Sequence, residues 1–447
     1  MYKIILPFRY LFKKRISYLA LVAVALCVFT VFVVMTVMTG LVNDFKQKNH
    51  SFVGDCTVGT ESLVGFPHYE DFMKILEQAD FVEAVSAVAK SYALINPRGS
   101  QRSFGVEIMG IDPVRYSQVT GFGETLHYNK NDVSRVFKPS YDPNLAGCVV
   151  GIDLWIGRDA SGQYTYAASP ERQALNVSCF PLTPKGALAK AGVGEVETRT
   201  FYYCDTSHSG LAHVDCSFVY LPFEQAQSLC GMDSPVKRAS AIHIRFRPNT
   251  KLDAGCEKVT SLWQQFVREH KESAELFGTV KVQSWKDYRR PFIAAMEKEQ
   301  TMLTAMFILV GVTTVFIVFV VFYMIISHKS KDIGILKSVG IPNRSILMLF
   351  LCFALWVGVF GSAIGAVAGW RFLVHINQIE DWLFKHFDFQ LWDRTIYAIG
   401  DIPNQIEFRL LAVIILSAIA ACIVGALVPS WQAARLKPIE TLQVSQL

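Results

Sequence analysis

Four side chains able to bind a metal crowd one stretch of this sequence: Cys204, His208, His213 and Cys216. Thiolates and imidazoles are zinc's usual ligands, but zinc modules place them at a few characteristic spacings. The spacing here, C-x3-H-x4-H-x2-C, matches none of them. The better reading is a polar loop ahead of a strand at Phe218, and no metal site is expected. A phosphate-binding loop of the G-x-x-x-x-G-K-[ST] type needs a Gly-Lys dipeptide, and the chain has none. No spaced nucleophile and base suggest a hydrolase, so no catalytic residue is named. The net charge of +5 forms no basic stripe that argues for nucleic acid. The segment that invites a docking role is short and basic, His328 to Arg344. In it Ile333, Leu336 and Lys337 fall on one helical face, with Lys331 and Asp332 supplying charge. Gly340 can cap the C-terminus and Pro342 stops the helix. This predicts an amphipathic helix of one to two turns at a membrane surface, against the plainer alternative of a basic loop.

The elements that would hold this segment are apolar. Of 447 residues 51% are hydrophobic and only 18% charged. Crossing a hydrocarbon core of about 30 Å takes about 20 helical residues. Four runs free of charged and histidine side chains qualify: Ser17–Gly40, Thr301–Ser327, Ser345–Trp370 and Leu410–Trp431. The first is too long for a secretory leader and has no Ala-x-Ala site after it, so it reads as a retained anchor. Lys and Arg mark the cytoplasmic side. They cluster before the first run (Arg9, Lys13, Lys14, Arg15), between the second and third (Lys329, Lys331, Lys337, Arg344) and after the fourth (Arg435, Lys437). Both ends are therefore expected inside. The predicted order is an inner segment 1–16, a helix 17–40, an outer domain 41–300, a helix 301–327, an inner loop 328–344, a helix 345–370, an outer loop 371–409, a helix 410–430 and an inner tail 431–447.

The region 41–300 reads as mixed α and β. Helices are predicted from Phe66 to Ala79, Glu224 to Leu229 and Leu252 to His270. Strands are predicted at Phe218–Leu221, Ala241–Phe246 and Val280–Val282 continuing to Trp285. Seven of the ten cysteines lie here, an odd number that cannot all pair within one chain. Within the membrane, Gly358, Gly361, Gly365 and Gly369 share one face of the third helix. Ser417, Ala421 and Gly425 recur every four residues on the fourth. Small residues at such spacing let helix backbones approach, which predicts packing among the second to fourth helices.

Taken together these features resemble a known family. KDIGILKSVG at Lys331–Gly340 is similar to the coupling-helix signature of FtsX-like ABC permeases, the superfamily with the macrolide-exporter architecture. PSWQAARLKPIETL at Pro429–Leu442 resembles its C-terminal signature. The subfamily resembled is that of the lipoprotein-releasing permeases of Gram-negative inner membranes. Pro7–Arg15, Val37–Gly40, Gly110–Pro113, Gly210–Gln227, Ser284–Trp285 with Glu297–Glu299, Trp392–Tyr397 and Ile402–Pro403 carry that likeness. The pattern is only faintly kept around Asp159–Ala191, and the cysteines are more numerous.

The resemblance implies a four-helix membrane protein with a large α/β periplasmic domain and no ATPase of its own. Its partners would be an ABC ATPase dimer that binds ATP and magnesium, and a second permease subunit, either a copy or a paralogue. Membrane lipids, lipoprotein cargo and a periplasmic lipoprotein carrier complete the set. Lys331, Asp332, Ile333, Gly334, Ile335, Leu336, Lys337 and Gly340 would meet the ATPase. An acyl-chain wall would be formed by Val33, Val34, Val37 and Met38 opposite Met302, Met306 and Phe307, where flexible methionines suit varied chains. Ordinary lipid-facing or packing surface is the plainer account of those seven. Two other roles fit the same superfamily: an efflux or lipid and peptide export permease, and a non-transporting regulator of cell-wall hydrolysis.

Overall fold

The computed structural model describes residues 15–99, 102–158, 163–188, 196–387, 402–404 and 406–435. Pro7–Lys14, Trp392–Tyr397 and Leu436–Leu442, which carry part of the resemblance, lie outside them. The chain divides into a unit of apolar helices and a unit spanning Asp44–Ala294.

Among the described residues four helices are long and apolar enough to cross a membrane. They are Arg15–Val53, Arg290–His328, Asn343–Val374 and Phe408–Arg435. The first two outrun the apolar stretches that predict them. The first continues beyond Gly40 through Asp44 and Lys48, which pair one turn apart at 2.8 Å. The second begins at Arg290, well before Thr301. Hydropathy ends where water begins, whereas helical hydrogen bonding need not. At about 1.5 Å per residue, each 39-residue helix reaches roughly 58 Å, about twice the hydrocarbon thickness. The third helix ends at Val374, so Arg371 sits in its last turn, where a cation suits the helix dipole. The stretch expected as a loop holds a further helix, Ile376–Phe387.

The glycine stripe packs differently from expectation. A Cβ on Gly361 would lie 2.9 Å from Val24, and one on Gly365 would lie 2.4 Å from the Ala25 carbonyl oxygen. Gly369 faces Phe32 and Val33. These three therefore admit the first helix, which the predicted packing omits. Gly358 alone of the four faces the fourth helix, through Ile419 and Cys422. On the fourth helix Gly425 receives the second, where a Cβ would lie 2.7 Å from the Val315 oxygen. Ala421 is half-buried and Ser417 exposed, so that stripe packs at only one end. Gly40 lies against Pro403, leaving 2.8 Å for a Cβ.

Among its described residues the unit Asp44–Ala294 is built on a nine-stranded sheet. Its strands are β1 (Cys56–Gly59), β3 (Val82–Pro97), β4 (Phe104–Ile111), β5 (Gly147–Gly151), β6 (Ala174–Cys179), β7 (Glu197–Ser207), β8 (Phe218–Pro222), β10 (Ala241–Phe246) and β11 (Lys281–Ser284). Two short pieces, β2 (Phe66–Pro67) and β9 (Arg238–Ala239), pair separately. The order is β11-β1-β10-β3-β4-β8-β5-β7-β6, and β6 pairs back onto β3. Six strands from β3 to β6 thus close on themselves, which removes two free edges. β3 is 16 residues long because it serves both halves: Val82–Val88 pairs with β10, and Ala93–Pro97 with β6.

Three cores result. Helices Tyr69–Glu77 and Leu252–Glu269 cover β1, β10 and the start of β3 with Phe72, Leu76, Trp263 and Phe266. The closed ring encloses Ile108, Val150, Val177, Phe201 and Val219, and helix Phe223–Leu229 adds Ala226 and Leu229. The third core joins Phe52 and Val53, at the end of the first helix, to Tyr116, Phe122 and Tyr220. Trp285, predicted to end a strand, opens a short helix, Trp285–Tyr288, capped by the Ser284 side chain.

Candidate coupling site

Between the second and third membrane helices the chain forms a nine-residue helix, Ser330–Ser338. Its end follows from Gly340. With φ at +92°, Gly340 donates its N–H to the Lys337 oxygen and Ile341 to the Leu336 oxygen. This paired closure satisfies two orphan carbonyls and demands a left-handed residue, which glycine supplies without strain.

Two residues fasten the helix. Ile333 is 2% exposed and packs among Ile326 of the second membrane helix, Ile346, Leu349 and Phe350 of the third, and Ala433 of the fourth. Lys337 donates from Nζ to the Ala434 oxygen at 2.7 Å, one of the last carbonyls of the fourth helix. Those carbonyls lack partners within their own helix and carry its negative dipole end, so a lysine there is doubly favoured. Arg435 covers Trp431 at 3.8 Å beside it. One short helix is therefore tied to three membrane helices at once.

The other face is open. Ile335 is 55% and Val339 79% exposed, one turn apart. Asp332 pairs with Lys329 and is half-buried, as is Leu336, while Gly334 is buried. Of the residues read from the sequence as one docking face, Ile333 and Lys337 thus point into the bundle. The outward pair is Ile335 with Val339, a residue absent from the sequence-based docking set. The polarity of the segment alone could not separate anchor from docking face, because isoleucine serves both.

The predicted acyl-chain wall is spread over unlike environments. Met38 is buried, and Val33 and Val37 are half-buried and pack against the helix-bundle core. Val34 and Phe307 are half-buried. Met302 and Met306 are 61% and 63% exposed on the second helix. Close to them in sequence, Gln300 reaches Thr39 of the first helix at 3.4 Å.

The four candidate metal ligands go separate ways. Cys204 is buried on β7, its thiol against the Tyr202 oxygen at 3.5 Å. His208 lies 4.0 Å from Asp215. His213 accepts from the Arg289 guanidinium at 2.8 Å, and Cys216 is exposed.

Arg289 marks a site that sequence reading misses. It is 6% exposed, donates from Nε to Asn49 Oδ1 at 2.7 Å, and lies over the rings of Phe52 and Phe292. It thereby joins the end of the first long helix to the start of the second. Burial pushes its pKa down to about 10. Burial, then the Arg289 charge, pushes His213 down to about 4. His213 is neutral as an acceptor of that bond. Burial and Lys90 hold His243 at about 3, its Nδ1–H donated to the Val53 oxygen at 2.7 Å. An arginine one residue before a long apolar helix looks like a flanking charge, and nothing in the sequence signals its burial.

The helices that meet at this site also carry the likeness to known proteins. Residues 304–438 match the family "FtsX-like permease C-terminal". The chain is 20% identical over 432 residues to the lipoprotein-releasing system transmembrane protein LolC of Neisseria meningitidis, covering 97% of this chain and 95% of that one. It is 21% identical over 447 residues to LolC of Xylella fastidiosa, covering 97% of each. The periplasmic region of MacB from Actinobacillus actinomycetemcomitans is matched over 56% of this chain and 97% of that one, at 12% identity and a TM-score of 0.30. The short helix Ser330–Ser338 falls within the matched segment together with the third and fourth membrane helices and most of the second, so it is this part of the chain that is similar to the C-terminal domain of FtsX-like permeases.

Proposed function

We propose that this chain is the membrane subunit of an ABC transporter that releases lipoproteins from the bacterial inner membrane. Force from a separate ATPase dimer enters at Ser330–Ser338. The supporting observation is the double character of that helix: Ile333 and Lys337 fix it to three membrane helices, while Ile335 and Val339 stay open for a partner. A push on the open face is then shared by the whole bundle. Packed cores deform little, so the motion is carried rather than absorbed. ATP and magnesium belong to the ATPase, and this chain supplies no catalytic residue.

Lipoprotein as cargo is supported by likeness to LolC over nearly the full length. In this reading the termini are cytoplasmic and Asp44–Ala294 is periplasmic. A second permease subunit, a copy or a paralogue, completes the assembly, and a periplasmic carrier accepts the cargo. Met302 and Met306, exposed on the second helix, are the residues best placed to meet an acyl chain. Photo-crosslinkers at Met306 should trap lipoprotein during turnover.

The direct test is Ile335→Asp with Val339→Asp. Both side chains are open, so the fold and thermal stability should be preserved. Co-purification of the ATPase should be lost and lipoprotein release should stop. An ATPase that still co-purifies, with release intact, would refute the entry point.

A further inference from the structure

Two thiols meet where the six-stranded ring closes. Cys179 ends β6 and stands opposite Ala93 of β3, the pairing that shuts the ring. Cys230 caps helix Phe223–Leu229, whose side chains fill the same core. Their sulfurs are 4.0 Å apart, and both residues are buried. Their backbones are also tied: Leu182 donates its N–H to the Cys230 oxygen at 3.1 Å. Gly231 turns with φ at +72° against Pro181 and Leu182. Arg238 donates to the Leu182 oxygen at 3.2 Å and to the Gly231 oxygen. The two segments are therefore held side by side by contacts that do not involve sulfur. A disulfide needs its sulfurs at about 2 Å, so closure asks for side-chain rotations that bring them about 2 Å nearer and no new path for the chain.

We propose that Cys179 and Cys230 are a disulfide site that staples helix Phe223–Leu229 to the closing seam of the inserted domain. The inference rests on the periplasmic placement above, because disulfides persist in oxidising compartments and are rare in the cytosol. The oxidant is a protein dithiol oxidase in its disulfide form. Before the ring closes both thiols are open to the oxidant and either can attack first. With Cys179 leading, its thiolate attacks one sulfur of the oxidant's disulfide. A mixed disulfide forms and the oxidant's second sulfur leaves as a thiolate, which takes a proton. Cys230 then loses its proton to water and attacks Cys179 Sγ, expelling the first oxidant sulfur, which is protonated to a thiol. Two protein thiols are oxidised and one oxidant disulfide is reduced. The burial of both sulfurs requires that this happen before the ring has closed, during folding.

The test uses the full chain expressed in bacterial membranes. Samples are acid-quenched, denatured without reductant and treated with a maleimide, then reduced and treated with a second, heavier maleimide. Cys179 and Cys230 should carry only the second tag. A non-reducing digest should yield their two peptides joined, and Cys179→Ser should release Cys230 to the first tag. In parallel, spheroplasts are treated with a membrane-impermeant maleimide, which should label the exposed Cys216. First-tag labelling of both Cys179 and Cys230, with Cys216 labelled from outside, overturns the disulfide and leaves the topology standing. Cys216 labelled only by a permeant reagent overturns the topology and the disulfide with it.

Discussion

Replacing Ile333 by alanine should detach the short helix Ser330–Ser338 without unfolding the protein. Ile333 is 2% exposed and is the side chain that this helix contributes to the cluster of Ile326, Ile346, Leu349, Phe350 and Ala433. Removing three carbons from such a site costs about 2–5 kcal/mol, as lost burial plus a cavity. Lys337 on the Ala434 oxygen stays as an anchor, a charge-assisted bond contributing about 1.5–3 kcal/mol. At about 1.4 kcal/mol per tenfold, the detached population should rise by about 30-fold at the least. Limited trypsin digestion of the purified full chain reads this population. Lys337 is tied down in the docked helix and becomes a cleavage site when it is released. Cleavage tracks the open fraction while reclosing is faster than cutting. The cleavage rate after Lys337 should climb by the same factor, and ATPase stimulation should fall with it. Ile335→Ala, on the open face, should leave the cleavage rate unchanged. If Ile333→Ala is cut no faster than the parent, the helix is held by something other than this contact, and the argument for force transfer through it fails.

Three further outcomes come from the same geometry. Gly365→Leu must move the first and third helices apart by about 1 Å, since its Cβ alone would lie 2.4 Å from the Ala25 oxygen; overpacking of this kind costs about 1–3 kcal/mol. The solubilised protein should melt several degrees lower, while Gly311→Leu, where a Cβ meets nothing within 4 Å, should not. Asn49→Leu strands the Nε donor of buried Arg289 at a cost of about 1–3 kcal/mol, and amide exchange near Phe52 and Val53 should quicken. Acid should loosen the inserted domain. His213 and His243 are held at about 4 and about 3, below the ordinary 6.5, so the unfolded chain binds more protons and stability falls as pH drops from 6.5 toward 4. Asp215 opposes this, because burial raises it to about 6, and its share of stability grows as pH falls from 6 toward 4. Two histidines outweigh one carboxylate, so tryptophan-monitored denaturation midpoints should fall between pH 6.5 and 5, and His213→Gln should flatten that slope.

What the sequence makes legible divides along a physical line. Long apolar runs identify membrane helices because burial of backbone polar groups in lipid leaves no alternative. The motif at Lys331–Gly340 places the short helix because Gly340 is the residue that can close it. Alternation finds β10, whose Ile242, Ile244 and Phe246 all enter one core. The same reasoning fails wherever a residue has two faces to satisfy. β3 escapes detection because its centre is buried on both sides, which erases the period of two. The glycines at 361, 365 and 369 announce a close helix contact but cannot name the partner, since any helix may fill the groove they leave. Ile333 and Ile335 are the same residue two positions apart, one an anchor and one an open surface, and only the neighbours decide which. Arg289 is the sharpest case: its value lies in Asn49 and His213, which are 240 and 76 residues away. Local pattern can report what an element buries, whereas the residues that join distant elements are defined by partners that no local window contains.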